Sequence, residues 1–317
     1  MKFGILLPTR WLVLTEPKPD NIDTIIRMSL SAERVGLHSV WVGDSLTAKP
    51  RLEPLTVLSA VATVTENIEL GTSVLIAPLR HPVLLSQSAA SVDVISGGRL
   101  ILGLGVGGAF NEAQGKEWLN AGINPKTRGS RFEEMVPLIK KLTRGETVRF
   151  EGNHFNLKDV NVALSSPNKE GVRLILASHW NAGISRQIER VATMADGFIS
   201  ISDYPSEYNN LTLGIKERTL EAGRDFNSME KVFYMTVNIN SDTDHAITEA
   251  DKFLNQYYGM NIWGDRWGPY GPAEQIVERI RQYESSGAET VILRFAAFGQ
   301  ERQMELFINE VVTEFQV

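Results

Sequence analysis

The chain contains no cysteine, which excludes disulfides, thiolate nucleophiles and thiolate metal sites together. It has no run of about 18 apolar residues, so no membrane-spanning helix is expected. It also lacks a basic cluster. Its 32 Lys+Arg against 38 Asp+Glu give a formal net charge of -6, which argues against a nucleic-acid surface. Histidine is scarce. His38, His81, His154, His179 and His245 show no spacing to one another or to carboxylates that suits a metal, so no metal site is expected. There is no GxSxG elbow for serine hydrolysis. The N-terminus carries one lysine and a short apolar run before Pro8, which reads as a first strand rather than a signal peptide. These absences leave a globular protein, expected in the cytoplasm, with 43% hydrophobic residues to build a core.

The segment from Glu69 to Asn111 organises the rest. An apolar run ends at Ile76, Pro82 suits a helix's first turn, and Gly97-Gly98 suit its end. A second apolar run, Leu100 to Leu104, then closes in glycines. Strand, crossover helix and strand in about 40 residues make a parallel βαβ unit. The same alternation runs through the whole chain, with strands expected at Phe3–Leu7, Ser39–Val42, Val172–Ala177, Phe198–Ile201, Val232–Ile239 and Thr290–Phe295. A β-excursion is expected between Val148 and Asn168. An open doubly wound sheet and a closed (β/α)8 TIM barrel both fit alternation. Eight βα units in one 317-residue domain, with no linker, favour the barrel.

A barrel builds its site from the loops after its strands. Here those loops are polar but poor in carboxylates. Asp44 alone is an obvious strand-end acid, so the paired acids of a glycosidase are missing. His81 and His179 stand at strand ends. Gly103 to Gly108 spells GxGxxG after a strand, a weak dinucleotide signal by itself. The Rossmann form needs a helix at once and an acid about 20 residues on; a nicotinamide-dependent dehydrogenase stays a remote alternative. The glycines serve either a phosphate cradle of backbone N–H groups or merely a tight turn.

Gly71-Thr72-Ser73-Val74, Arg80-His81-Pro82, Ser96-Gly97-Gly98-Arg99 and the Gly103–Gly107 stretch fall in one order. With Val40 to Leu46 and the segment from Gly271 to Ile280, they strongly resemble the bacterial-luciferase-like superfamily of flavin- and deazaflavin-dependent oxidoreductases. The likeness covers essentially the whole chain. It implies a TIM barrel that binds FMN or the deazaflavin coenzyme F420 at the strands' C-terminal ends. It implies monooxygenation or hydride transfer on a small organic substrate, or, in another class, a non-catalytic flavin-binding protein.

Carried onto this sequence, the resemblance places Asp44 beside the cofactor ring and makes Asp44 and His179 the catalytic candidates. Ser73-Val74 matches the family's non-prolyl cis peptide that props the ring. Gly105, Val106, Gly107, Gly108 and Ala109, with Ser178, His179, Trp180, Asn181 and Ala182, would hold the phosphate end. Two departures stand out. Many relatives carry a histidine where this chain has Ser45, and the family's sugar-phosphate dehydrogenases carry a glutamate where it has Gly108. Both proton-transfer groups of that reaction are missing, which argues against it.

Two segments are expected to lid the mouth, Gly108 to Lys126 and the aromatic loop Trp263 to Tyr270. Trp11, Trp180, Trp263, Trp267 and Tyr270 then face the substrate, with Arg10, Arg266 and Arg294 as anion contacts. Such rings favour an apolar or aromatic substrate, unless they only pin the loops. The helices around Leu55–Val64 and Val83–Ile95 look apolar on more than one face. Members of the superfamily that the chain resembles commonly pair through barrel helices, so the resemblance implies a homodimer.

Overall fold

The computed structural model describes residues 1–15, 19, 21–180, 184–261 and 264–315. Eight parallel strands form the centre: β1 Lys2–Leu6, β2 Ser39–Val42, β3 Glu69–Thr72, β4 Leu100–Gly105, β5 Arg173–Ala177, β6 Gly197–Ile201, β7 Glu230–Ile239 and β8 Thr290–Phe295. Each pairs with the next, and β8 pairs with β1 from Lys2↔Thr290 to Ile5↔Leu293. That last ladder closes the sheet and rules out the open doubly wound arrangement. Helices cover the outside, which is why the strands read as continuous apolar runs. The outer core lies between strands and helices, with Val40, Leu58, Leu70, Leu102, Ile139 and Leu293 fully buried in it.

The central βαβ unit forms as its sequence implies. The helix Pro82–Ser96 starts where His81 Nδ1 accepts the Val83 N–H at 3.3 Å, and ends at Gly97 with φ +71°. Arg99 then turns back beneath the barrel. Its guanidinium donates to the carbonyls of Ser96, Ala62, Thr65 and Ile68 and to Thr65 Oγ1. A planar fork with five donors is the side chain that can serve so many buried acceptors.

Two segments differ from the sequence reading. The apolar run after Ile68 breaks at a cis Ser73–Val74 peptide, and Leu75–Ile76 forms a separate short strand on β4. The polar stretch after β4 contains a helix, Glu112–Asn120, capped by Asn111. Only Glu117 and Trp118 are buried in it, so it has no apolar stripe to announce itself. The β-excursion is an antiparallel hairpin of Val148–Glu151 and Asn156–Val160. No helix among the described residues is long and apolar enough to cross a membrane.

The barrel interior is filled by Leu6, Trp41, Ile101, Ile175, Ile199, Val232, Tyr234 and Ile292. Trp41 dominates it. A Cβ at Gly71 on β3 would lie 2.0 Å from the indole, and one at Gly4 on β1 would lie 2.7 Å from its Nε1. Nε1–H donates to Ser39 Oγ at 2.8 Å. Gly71→Ala is therefore expected to destabilise the protein by about 1–3 kcal/mol through overpacking. Gly115→Ala, in the helix Glu112–Asn120 with open space around its Cβ, is expected to be neutral or to stabilise by about 0.5–1 kcal/mol. Denaturant unfolding of the two variants side by side measures the contrast.

Candidate active site

A cavity of about 260 Å³ opens at the C-terminal mouth of the barrel. Its floor is the top of the interior layer, Leu6, Val74, Ile199 and Tyr234. Gly43, Asp44, Lys49 and Arg51 from the loop after β2 form one wall; Gly107, Gly108 and His179, after β4 and β5, form the other. Tyr257 and Tyr258, from the end of the helix Thr243–Tyr258, close over it.

Asp44 lines this cavity, but its carboxylate is committed. Oδ2 accepts from Arg80 Nη1 at 2.6 Å and from the Ile76 N–H at 2.8 Å, and Oδ1 accepts from Arg80 Nη2 at 3.0 Å. A bidentate pair with a buried carboxylate fixes geometry. Asp44 thus fastens the β2 loop to the chain just beyond the cis peptide. Ser45 is equally occupied: its hydroxyl donates to Glu117 Oε1 at 2.7 Å. The same oxygen accepts the N–H groups of Thr47 and Ala48 at 2.7 and 3.1 Å. Burial works against the charge of Glu117, yet these hydrogen bonds outweigh it and hold the carboxyl below its ordinary value. Sequence reasoning missed Glu117. It pins the helix Glu112–Asn120 to the loop that carries Lys49 and Arg51.

His179 stands half-buried in the opposite wall. Burial pushes its imidazole down to about 4, so the ring is neutral near pH 7. The Ile201 N–H donates to Nδ1 at 3.3 Å, which leaves the ring proton on Nε2. Ser200 Oγ lies 3.4 Å from Nδ1 and donates to Asp203 Oδ2 at 2.6 Å. Asp203 also accepts the Trp180 N–H at 3.1 Å, and burial above all raises its carboxyl to about 6. His179 is thus a fixed neutral donor.

Four cations lie toward β8, β1 and β2, of which Lys49 and Arg51 line the cavity and Arg10 and Arg294 stand behind it. Arg294 is buried, with its guanidinium 4.1 Å from the Trp267 ring centre and 5.1 Å from that of Tyr258. Arg10 is buried too, with Nε on the Tyr257 carbonyl at 2.8 Å and Nη1 without a hydrogen-bond partner. Lys49 Nζ sits 4.6 Å over the Tyr258 ring. Arg51 fills the space above Gly43, where a Cβ would lie 2.2 Å from its Nη1. None of the four forms an ion pair among those found between described residues. Lys49 is lowered from its ordinary value by burial first, with Arg51, Arg10 and Arg294 adding to the effect.

The remaining expected residues fall in several places. Gly105 ends β4 where a Cβ would lie 2.6 Å from Val74 Cγ2, and Val106 packs on the outer core. The carbonyls of Gly107 and Gly108 accept from Arg128 Nε and Trp118 Nε1, and Ala109 is half-buried beside them. Ser73 Oγ and Ser178 Oγ are buried with no hydrogen-bond partner. The Trp180 ring is partly exposed, and Asn181, Ala182 and Trp263 lie outside the described residues. Trp11 packs on Phe253 and Phe298; Trp267 and Tyr270 sit behind the tyrosine wall with Trp11, and none of these rings, nor Arg294, lines the cavity itself. Arg266, expected as an anion contact, is spent on Glu207 at 2.6 and 2.9 Å and on the Ser202 carbonyl, because a nearby carboxylate on the helix Pro205–Glu221 meets its fork. His81 caps its helix away from the cavity.

The two shifted groups leave opposite marks on stability. His179, depressed to about 4, contributes stability that is complete above 6.5 and lost as pH falls through 4. Asp203, raised to about 6, contributes stability that is complete below 3.8 and lost as pH rises through 6. Between pH 6 and 4, His179→Gln is expected to flatten the loss of unfolding free energy with acid, and Asp203→Asn to steepen it. Each change amounts to at most about 1.4 kcal/mol per pH unit, read from urea unfolding at stepped pH.

Comparison with known proteins accords with this architecture. An F420-dependent glucose-6-phosphate dehydrogenase of Beutenbergia cavernae is 32% identical to the chain, covering 91% of it and 92% of that protein. A protein of the same description from Amycolatopsis mediterranei is 26% identical, with 92% and 94% covered. The crystal structure of the monooxygenase RslO1 from Streptomyces bottropensis superposes with a TM-score of 0.82 at 20% identity, over 99% of this chain and all of that one. The family model described as luciferase-like monooxygenase matches residues 1–268. The chain belongs to the luciferase-like monooxygenase family of oxidoreductases.

Proposed function

We propose that the protein is an F420-dependent oxidoreductase that moves hydride between the coenzyme and a carbinol or carbonyl carbon of a small organic anion. One observation carries the reading. The cavity above the cis Ser73–Val74 peptide combines an orphaned hydroxyl, that of Ser73, with cations that lack carboxylate partners. Ser73 Oγ is a buried polar atom with nothing to bond, a costly state unless a ligand meets it. A flat heteroaromatic ring with carbonyl and N–H edges suits it, and neutral His179 is placed to donate to it. The relatives whose names specify F420 cover about nine-tenths of the chain, which favours the deazaflavin over FMN.

Bound there, the deazaflavin supplies hydride chemistry; this chain's residues supply position and charge. The ring would rest on Ser73-Val74, with its phosphate end toward Val106 to Ala109 and Ser178. Substrate would then lie toward Tyr234, Tyr257 and Tyr258, whose faces suit an apolar or aromatic body. Lys49 and Arg51 would bind its anionic group, in a mouth that stays cationic although the whole chain carries -6. Ser45 and Gly108 replace the groups expected for sugar-phosphate oxidation, so glucose 6-phosphate itself is expected to be a poor substrate.

Titration with F420, FMN and NADPH in parallel tests the assignment, with F420 expected to bind and to be reduced by hydroxylated organic acids. Binding of FMN alone, with oxygen consumption, would replace it with monooxygenation; binding without turnover would make this a flavin-binding protein. Arg51→Met is expected to raise KM for an anionic substrate about tenfold, some 1.4 kcal/mol, and to leave F420 affinity nearly unchanged.

The helix Pro82–Ser96 exposes Leu84, Val94 and Ile95, and a groove runs between it and the helix Pro54–Ala62. We assign this face to a second copy of the chain. Leu84→Glu with Ile95→Glu is expected to convert a dimer to a 35.3 kDa monomer in light scattering. A monomeric wild type would refute the assignment.

A further inference from the structure

The site poses a chemical problem. Oxidising an alcohol by hydride transfer also requires removal of its hydroxyl proton, and the acids near the cavity are already engaged. Asp44 is held by Arg80, and Glu117 by Ser45 and two backbone N–H groups. His179 has its Nδ1 occupied and carries its proton on Nε2, so it can donate but has no free lone pair to accept. Three tyrosines line the cavity, Tyr234, Tyr257 and Tyr258, and they differ in their surroundings. Arg294 Nη1 donates to the Tyr258 hydroxyl oxygen, and Lys49 Nζ lies over the same ring.

We propose that Tyr258 is the proton-transfer residue of this site. The inference rests on the hydride-transfer reading above. In the oxidative direction a deazaflavin bound in this site would accept the hydride, with its electron pair, from the substrate carbon, and this chain's part is the proton. The substrate O–H bond breaks, its proton passes to the Tyr258 phenolate oxygen, and the carbonyl forms. Reduction runs the same path backwards, with the Tyr258 hydroxyl as the acid.

Electrostatics supports the geometry. The charged and titratable groups around Tyr258 are Arg294 on β8, Lys49 and Arg51 after β2, Arg10 after β1, Tyr234 on β7 and Tyr257 on its own helix. Burial alone would raise all three phenols, and it does raise Tyr234 and Tyr257. For Tyr258 the cations Arg294, Lys49 and Arg51 outweigh burial and lower it. A phenol whose anion is favoured by neighbouring cations is what a general base in this position needs. It also explains why buried Arg294 is tolerated with no carboxylate beside it.

Two measurements test the proposal. Ultraviolet difference titration of the apoprotein is expected to show one tyrosine ionising below the ordinary value. That transition should be absent in Tyr258→Phe and shifted upward in Lys49→Met. Transfer of hydride from alcohol to F420 by holoenzyme is expected to fall about 10²–10⁴-fold in Tyr258→Phe, with loss of the acidic limb of the pH profile, which protonation of the base sets, and unchanged F420 affinity. Lys49→Met should keep that limb but move it to higher pH. A Tyr258→Phe enzyme with wild-type rate and pH profile overturns the proposal alone, as does a titration showing no early tyrosine. Wild-type protein that binds F420 but transfers no hydride to or from any alcohol or ketone overturns the functional reading and the proposal with it.

Discussion

The indole of Trp41 sets the terms for the lower half of the barrel. An eight-stranded barrel is just wide enough for side chains to fill it, so one large ring on β2 takes space that β1 and β3 must surrender. Gly4 and Gly71 are where they surrender it, and Ser39 gives the buried Nε1–H its acceptor. The aliphatic residues of the other strands complete the plug. Because that floor is dense, the space for a ligand in the barrel lies above it, where Ser73 follows β3 and where β4 and β5 end in the small residues Gly105 and Ala177.

Above the floor, acidic side chains build the frame and basic ones are left over. Asp44 ties the β2 loop to the segment beyond the cis peptide through Arg80, and Glu117 ties that loop to the helix Glu112–Asn120. Glu207 absorbs Arg266 at the far rim. Of the cations left facing the cavity, Lys49 lies over the Tyr258 ring, whose face accepts positive charge without adding a negative one. A pocket arranged this way attracts anions from a protein that is acidic overall.

Much of this was legible in the residues. The alternation of apolar runs with helical stripes points to eight βα units, and Pro82 and Gly97 mark the ends of the crossover helix where they occur. The mouth of the barrel follows from the strand ends, so Asp44, Ser73, Gly107 and His179 were found as neighbours of the cavity. Less legible were contacts between distant residues. Glu117 sits in a stretch without periodicity, 72 residues from the Ser45 hydroxyl it receives. Lys49 and Tyr258 are unremarkable in sequence, a lysine before a proline and the second of two tyrosines. Their pairing exists only because the β2 loop and the end of the helix Thr243–Tyr258 meet over the same opening.

The sequence by itself determined the order of strands and helices, the ends of the crossover helix at Pro82 and Gly97 and which loops crowd the mouth. Those properties depend on local backbone geometry and on the period of apolar residues, which neighbours along the chain already carry. Tertiary structure alone decided which charges are spent and which are free. Asp44 and Arg266 look available as isolated side chains and prove to be committed, whereas Lys49 and Arg51 prove to be exposed to the ligand space. Whether an ion is neutralised depends on distances of a few ångströms between segments far apart in the chain, and closing the barrel is what sets those distances.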